Sequence, residues 1–228
     1  AGLKIRQLAR PMMRDFAAYA GGTVSIAMPH GFNFIYLETV RTSESAPHIP
    51  DVGFSSTLAT TAVGRSLLSL YTPEEFADYD AQMGRADAAQ WQQWRPHTLA
   101  GIEACRARGF SMSLGEWRPE IYAVAAPLYR TPDGDCLAVN CGIPSFRYSP
   151  EQIEQECGPP MLNLARRIRA LHGWHGGTRA WRGAMDRGDD PGSPRQKIAR
   201  VRWQECNRAR ATFKFWAGCV RPCLRLLL

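Results

Sequence analysis

The sequence predicts an α+β domain, an antiparallel sheet with helices packed on it. Three observations predict this. Apolar residues recur at helical spacing near both ends of the first 172 residues. Between them, β-rich runs come in neighbouring pairs joined by short turn segments, which suits antiparallel pairing. The composition, 45% hydrophobic and 21% charged, is that of a chain able to bury a core.

Leu3, Ile5, Leu8, Met12, Met13, Phe16 and Tyr19 predict a helix over residues 3–20. Pro11 has no N–H to give to that helix, so a break or fresh start is expected near Arg10. Gly21 and Gly22 stop it. Thr23–Met28 and Phe32–Val40 read as a hairpin around His30-Gly31. Residues 41–50 form a loop, and Gly53–Thr57 a short strand. Thr60 or Thr61 then caps a helix through Ala62–Leu68. Thr72-Pro73-Glu74-Glu75 is a strong helix start, with a hydroxyl cap, a first-position proline and acids in the first turn. A further helix covers Ala86–Arg108 and ends at Gly109. Phe110–Leu114, Ile121–Tyr129 and Asp135–Gly142 form a meander, its last turn made by Thr131-Pro132-Asp133-Gly134. Ser149-Pro150-Glu151 opens the last helix, expected to reach about His172.

The net charge of +7 is unevenly spread. Residues 173–228 hold 12 of the 28 bases and 4 of the 21 acids, leaving 16 bases against 17 acids in residues 1–172. The body is therefore nearly neutral. A case for nucleic-acid binding would rest on the tail alone, on Arg195, Lys197, Arg200, Arg202, Arg208 and Arg210 interleaved with Trp. That tail, residues 173–228, shows no apolar period and is expected to be irregular or a non-native extension.

The seven cysteines lack the paired spacing of a zinc site, which suggests free thiols in a reducing cytoplasm. No signal peptide opens the chain, and no stretch is apolar enough to span a bilayer. His172-x-x-His175 and Cys219-x3-Cys223 lack further ligands, so neither metal nor cofactor is expected. None of His30, His48, His97, His172 or His175 sits in a nucleophile motif, and Gly-x-Ser-x-Gly is absent. A small α+β enzyme of unknown reaction is thus the weaker alternative.

Three stretches carry a family resemblance. They are Gly53–Leu68 followed by Pro73-Glu74-Glu75; Gly109-Phe110-Ser111 with Gly115-Glu116 and Ala125-Ala126-Pro127-Leu128; and Asn140-Cys141-Gly142-Ile143-Pro144 with Arg147. In this order they resemble the C-terminal effector-binding domain of IclR-type bacterial transcriptional regulators, over residues 3–172. Thr57 and Ala59 stand where that family often has Pro and His, and Ile143 replaces a common Gly. The resemblance implies a GAF-like effector-binding domain over residues 1–172, no catalysis, and a homodimer or homotetramer. It also implies a partner small molecule, often a carboxylate or aromatic acid. Residues 1–20 hold no helix-turn-helix, so DNA is expected to be reached only through a missing winged helix-turn-helix domain.

By the same resemblance, the backbone amides of Ala62 and Val63 face an anion. Ser113 supplies a polar side chain, Ile121 and Ala123 wall positions, and Asn140 and Gly142 positions on the last strand. A helix start agrees with this, since its first N–H groups lack intrahelical partners and hydroxyls add donors. Met28, Phe54, Thr60, Thr61 and Phe110 are candidate further lining. With only Ser113 and Asn140 polar among the positions carried over, the pocket is expected to be rather apolar.

Overall fold

The computed structural model describes residues 2–41, 50–131 and 133–171, with side chains from Gln7 onward. All of them belong to one compact unit. The expectations for residues 173–228, including the basic run and the His and Cys pairs, lie outside the described residues.

The elements are α1 (Gly2–Ala20), β1 (Thr23–His30), β2 (Asn33–Arg41), β3 (Ser55–Thr57), α2 (Ala62–Leu68), α3 (Pro73–Ala86), α4 (Ala88–Arg108), β4 (Ser111–Leu114), β5 (Ile121–Arg130) and β6 (Cys136–Pro144). The last helical stretch comes in three pieces: α5 (Pro150–Gln152), a π turn (Ile153–Cys157) and α6 (Gly158–Leu171). Six strands make one sheet in the order β3-β2-β1-β6-β5-β4, and every neighbouring pair is antiparallel. The chain is therefore an α+β domain built on an antiparallel sheet. Gly31, at φ +60°, makes the tight β1–β2 turn that a side chain would strain.

Strand alternation divides the core in two. Ala27, Phe34, Tyr36, Ala125 and Ala138 face α2 and cluster with Val63, Leu67 and Leu68. The alternate residues, among them Val24, Ile26, Val124, Val139 and Cys141, are fully buried on the opposite face. α1 and α6 pack against each other there, α1 on β1 and β2 and α6 on β5.

Two helices differ from expectation. α1 runs unbroken through Pro11. Its buried stripe of Ala9, Met13, Phe16, Ala17 and Ala20 holds both halves to the sheet. Burying Met13 and Phe16 stabilises this helix by roughly 1.5–3 kcal/mol each, comparable with what an interior proline costs. Arg10 also donates to Glu38 on β2 at 2.6 Å. At the other end of the chain, the Gly158 N–H reaches back to the Ile153 carbonyl, a π spacing. Pro159 and Pro160 follow and have no N–H to offer. The Glu156 carbonyl, which Pro160 leaves without its helical donor, accepts the Tyr19 hydroxyl at 2.9 Å.

The expected helix starts form as the residue types require. Thr72 and Glu75 make a reciprocal capping box at α3. Asp87 separates α3 from α4 and caps the latter through the Gln90 N–H. Gly109, in the left-handed region at φ +85°, ends α4.

Candidate functional site

α2 starts on a short braced loop. The Thr61 hydroxyl donates to the Thr57 carbonyl at 2.9 Å and accepts the Gly64 N–H at 3.1 Å. It therefore caps the helix as the sequence predicts, but its proton is already engaged and it has no donor left for a ligand. Gly64 presses on the same loop; a Cβ there would lie 2.0 Å from the Leu58 carbonyl oxygen. The amides of Ala62 and Val63 fall in the first turn, whose N–H groups have no intrahelical acceptor.

Between this helix start and the sheet lies a cavity of about 160 Å³. Its walls come from the start of β1, the end of β6, the start of β5, β4 and the middle of β2. Ala62, Val63, Ser113, Ile121, Ala123, Asn140 and Gly142 all line it, together with Phe54 and Thr61. Met28, Thr60 and Phe110 do not. Met28 alternates out of register with Ala27 and so points to the other face of the sheet. Thr60 sits in the loop before the cap. Phe110 is pinned beneath Gly158 at the far side, with the Arg108 guanidinium 4.5 Å above its ring.

The structure adds residues that the sequence did not single out. Tyr36 lines the cavity and accepts a 2.7 Å hydrogen bond from the Asn140 side-chain amide. Trp117 closes it from the β4–β5 loop, edge-on to Phe54 with ring centroids 5.6 Å apart. Gly21, Gly22, Thr23 and Ser25 contribute from the start of β1. The even spacing of Phe34 and Tyr36 along β2 was the one sequence signal that could have found Tyr36.

No Asp, Glu, Lys, Arg or His lies among the described lining residues. Burial drives the Tyr36 phenol far above its usual range, so it stays protonated. With Asn140 donating to its oxygen, the Tyr36 proton has no acceptor among the described residues. The Ser113 hydroxyl donates to the Glu116 carboxylate at 2.5 Å, and the Leu114 N–H joins it at 2.6 Å. Glu116 in turn lies 3.4 Å from Arg65, a buried cation that donates to the Met112 carbonyl at 2.9 Å. Donors open to an occupant include the Tyr36 hydroxyl and the α2 amides, and acceptors include the Asn140 carbonyl oxygen and the Ser113 oxygen. This is an apolar chamber with a few convergent neutral polar groups, the usual make-up of a small-molecule site.

Among the described residues, no three His, Cys, Asp or Glu side chains converge to hold a metal ion, and no helix is long and apolar enough to cross a membrane.

The family described as the C-terminal domain of the bacterial transcriptional regulator IclR matches residues 1–170. The HTH-type transcriptional regulator KipR of Bacillus subtilis (strain 168) is 27% identical over 128 residues, covering 56% of this chain and 51% of that protein. The chain thus spans about half the length of the curated relative it matches. An IclR family transcriptional regulator from Brucella abortus superposes with a TM-score of 0.69 at 27% identity, over 73% of this chain and 63% of that one. The inducer-binding domain of a double mutant of the PobR transcription factor from Acinetobacter, solved with 3-hydroxybenzoic acid, gives a TM-score of 0.59 at 16% identity, over 73% of this chain and 98% of that one. At that identity the likeness is one of fold.

Proposed function

Because the chain belongs to the IclR family of bacterial transcriptional regulators, whose C-terminal effector-binding domain it carries, we propose that the cavity beneath α2 binds a small single-ring aromatic acid as its effector. The family is one of regulators, not enzymes. The observation that carries the reading is the cavity itself: about 160 Å³, apolar walls, and donors rather than counter-charges at its polar end. Apolar cavities of roughly 150 Å³ accept a benzene-sized guest. The phenyl ring lies against Phe54, Ile121 and Val63. Its carboxylate takes hydrogen bonds from the Tyr36 hydroxyl and the Ala62 and Val63 amides. The PobR domain, which shares this fold, was solved with a single-ring acid, 3-hydroxybenzoic acid.

Effector binding then alters how the chain's assembly, a homodimer or homotetramer, presents a DNA-binding segment to an operator. Any such coupling is reciprocal, so DNA would change effector affinity by the same factor.

A thermal-shift series tests the ligand class. Benzoate, 3-hydroxybenzoate, pyruvate and a two-ring acid are compared at saturating concentration. A ligand that binds only the folded state raises the melting temperature. The single-ring acids should give a saturable rise and the two-ring acid none. No rise with either single-ring acid would overturn the reading.

A further inference from the structure

A serine hydroxyl donates one hydrogen bond and accepts two, so a serine in a cavity wall does not by itself choose between ligand groups. At Ser113 the choice is made from behind. Glu116, outside the described lining of the cavity beneath α2, receives the Leu114 N–H at 2.6 Å on one oxygen and faces the Arg65 guanidinium at 3.4 Å with the other. Both oxygens accept, so neither carries a proton. The 2.5 Å bond between the first oxygen and Ser113 Oγ is therefore donated by the serine, at the length of a charge-assisted bond. We propose that Glu116, held by Arg65, is a positioning residue that fixes Ser113 as an acceptor, and so selects an aromatic acid with a hydroxyl or amino donor on its ring. This rests on the acid reading of the same cavity.

Strand register puts Ser113 at one end of the cavity floor. Ser113 pairs with Ala123 and Ala123 with Gly142, in one row across β4, β5 and β6, and all three line the cavity. Only a methyl group and a hydrogen stand along that row beyond Ser113. A Cβ at Gly142 would meet nothing nearer than Ile121 Cγ2 at 3.8 Å, so the floor is open there. Asn140, which holds the Tyr36 hydroxyl, lies two strands across and one two-residue step along from Ser113. At ordinary strand spacing and rise that is roughly 12 Å between Cα atoms, room for one ring with a polar group at each end.

The two ends are opposite in kind. Tyr36 has a proton to give, while Ser113 has only lone pairs. A carboxylate finds a donor at the first end and none in the second, so the substituent that faces Ser113 is one that donates. The device is held firmly. Arg65 is buried and donates to the Met112 carbonyl on β4 at 2.9 Å. Gly101 of α4 presses on its side chain; a Cβ there would lie 2.3 Å from Arg65 Cδ. An unpaired buried charge is costly, so Arg65 in turn keeps Glu116 in place.

Calorimetric titration of the full chain with benzoates carrying a hydroxyl, amino or formyl group, at the meta or the para position, tests this. Hydroxyl and amino groups donate; a formyl group only accepts. At one of the two positions the hydroxyl and amino compounds should each bind about tenfold more tightly than the formyl compound. Ser113→Ala should close that gap. Glu116→Ala frees the serine proton and should narrow the gap severalfold, while Glu116→Gln, which keeps an accepting oxygen, should retain most of it. The gap is a ratio read within each protein, so a general loss of stability cancels. Should Glu116→Ala not fold, the gap in wild type and its loss in Ser113→Ala decide. No gap in wild type at either position, a gap that persists in Ser113→Ala, or an unchanged gap in folded Glu116→Ala would each overturn the proposal and leave the acid reading standing. Failure of benzoate and all its derivatives to bind overturns that reading, and the proposal with it.

Discussion

The Asn140 side-chain amide on β6 donates to the Tyr36 hydroxyl on β2 at 2.7 Å, bridging over β1, which lies between their strands. Both residues are buried and both line the cavity beneath α2. The bond fixes the tyrosine oxygen as an acceptor and turns its proton outward. Tyr36→Phe therefore does two things. It leaves the Asn140 amide short of an acceptor, costing roughly 1–3 kcal/mol of stability. It also removes one donor to a bound acid, for about a tenfold loss of affinity. Urea unfolding and a benzoate titration measure the two effects separately.

Gly142 offers the cleanest way to block the cavity. A Cβ there would meet only Ile121 Cγ2, at 3.8 Å, which is ordinary contact. Gly142→Val should fold with an unchanged or slightly raised midpoint, since β-branched residues suit strands. Its methyl groups occupy ligand space. The benzoate-induced rise in melting temperature should vanish while the unliganded protein stays intact.

Gly64 makes the opposite case. A Cβ would lie 2.0 Å from the Leu58 carbonyl oxygen and 2.4 Å from Leu58 Cα, both backbone atoms. Neither can swing aside. Gly64→Ala should destabilise by at least about 3 kcal/mol, the upper end of overpacking costs, and displace the α2 start. Thermal melting reads the loss directly.

Thr61→Val keeps the shape of the side chain but removes the cap. The Gly64 N–H loses its acceptor and the Thr57 carbonyl its donor. A loss of about 1 kcal/mol is expected, as for other capping residues. Thr61→Ser should restore most of it, which a parallel denaturation series checks.

Glu75 governs part of the acid limb. Arg130 holds its carboxyl down to about 2, from an ordinary 4.5. A depressed folded-state value means the pairing stabilises fully above the unfolded value. That contribution is lost as pH falls from about 4.5 toward 2. Both side chains are about a third or more exposed, so screening limits it to about 1 kcal/mol or less. Glu75→Gln should lower stability at neutral pH by no more than that amount and converge with the wild type as pH falls toward 2, flattening the profile between, as read by melting temperature against pH.

Much of the fold was legible because local chemistry and tertiary structure agree. Thr61, Thr72 and Gly109 sit where caps are needed, and Gly31 makes the turn that its neighbours suggest. Pro11 was misleading. Its local effect is real, but the apolar stripe beneath it and the Arg10–Glu38 pair outweigh that effect, and neither is visible without the sheet. The cavity was half legible. The α2 start and the β5 and β6 positions came from motifs in the sequence. Tyr36 and Trp117 carry no motif. They reach the cavity only because β2 and the β4–β5 loop fold back over the helix start. Phe110 misled for the same reason in reverse, since a buried aromatic beside a motif belongs to whichever face its strand presents.

Among the described residues no fixed charge lines the cavity beneath α2, and this bears on how such a domain diversifies. Where a buried arginine clamps a carboxylate, changing the ligand orphans a cation, and the fold suffers before any new specificity arises. Here the described wall residues are neutral, and several are separately replaceable. Ala123, Ile121 or Gly142 can change one at a time, each altering the shape of the chamber without leaving a counter-ion behind. The scaffold can drift from one effector to the next through stable intermediates.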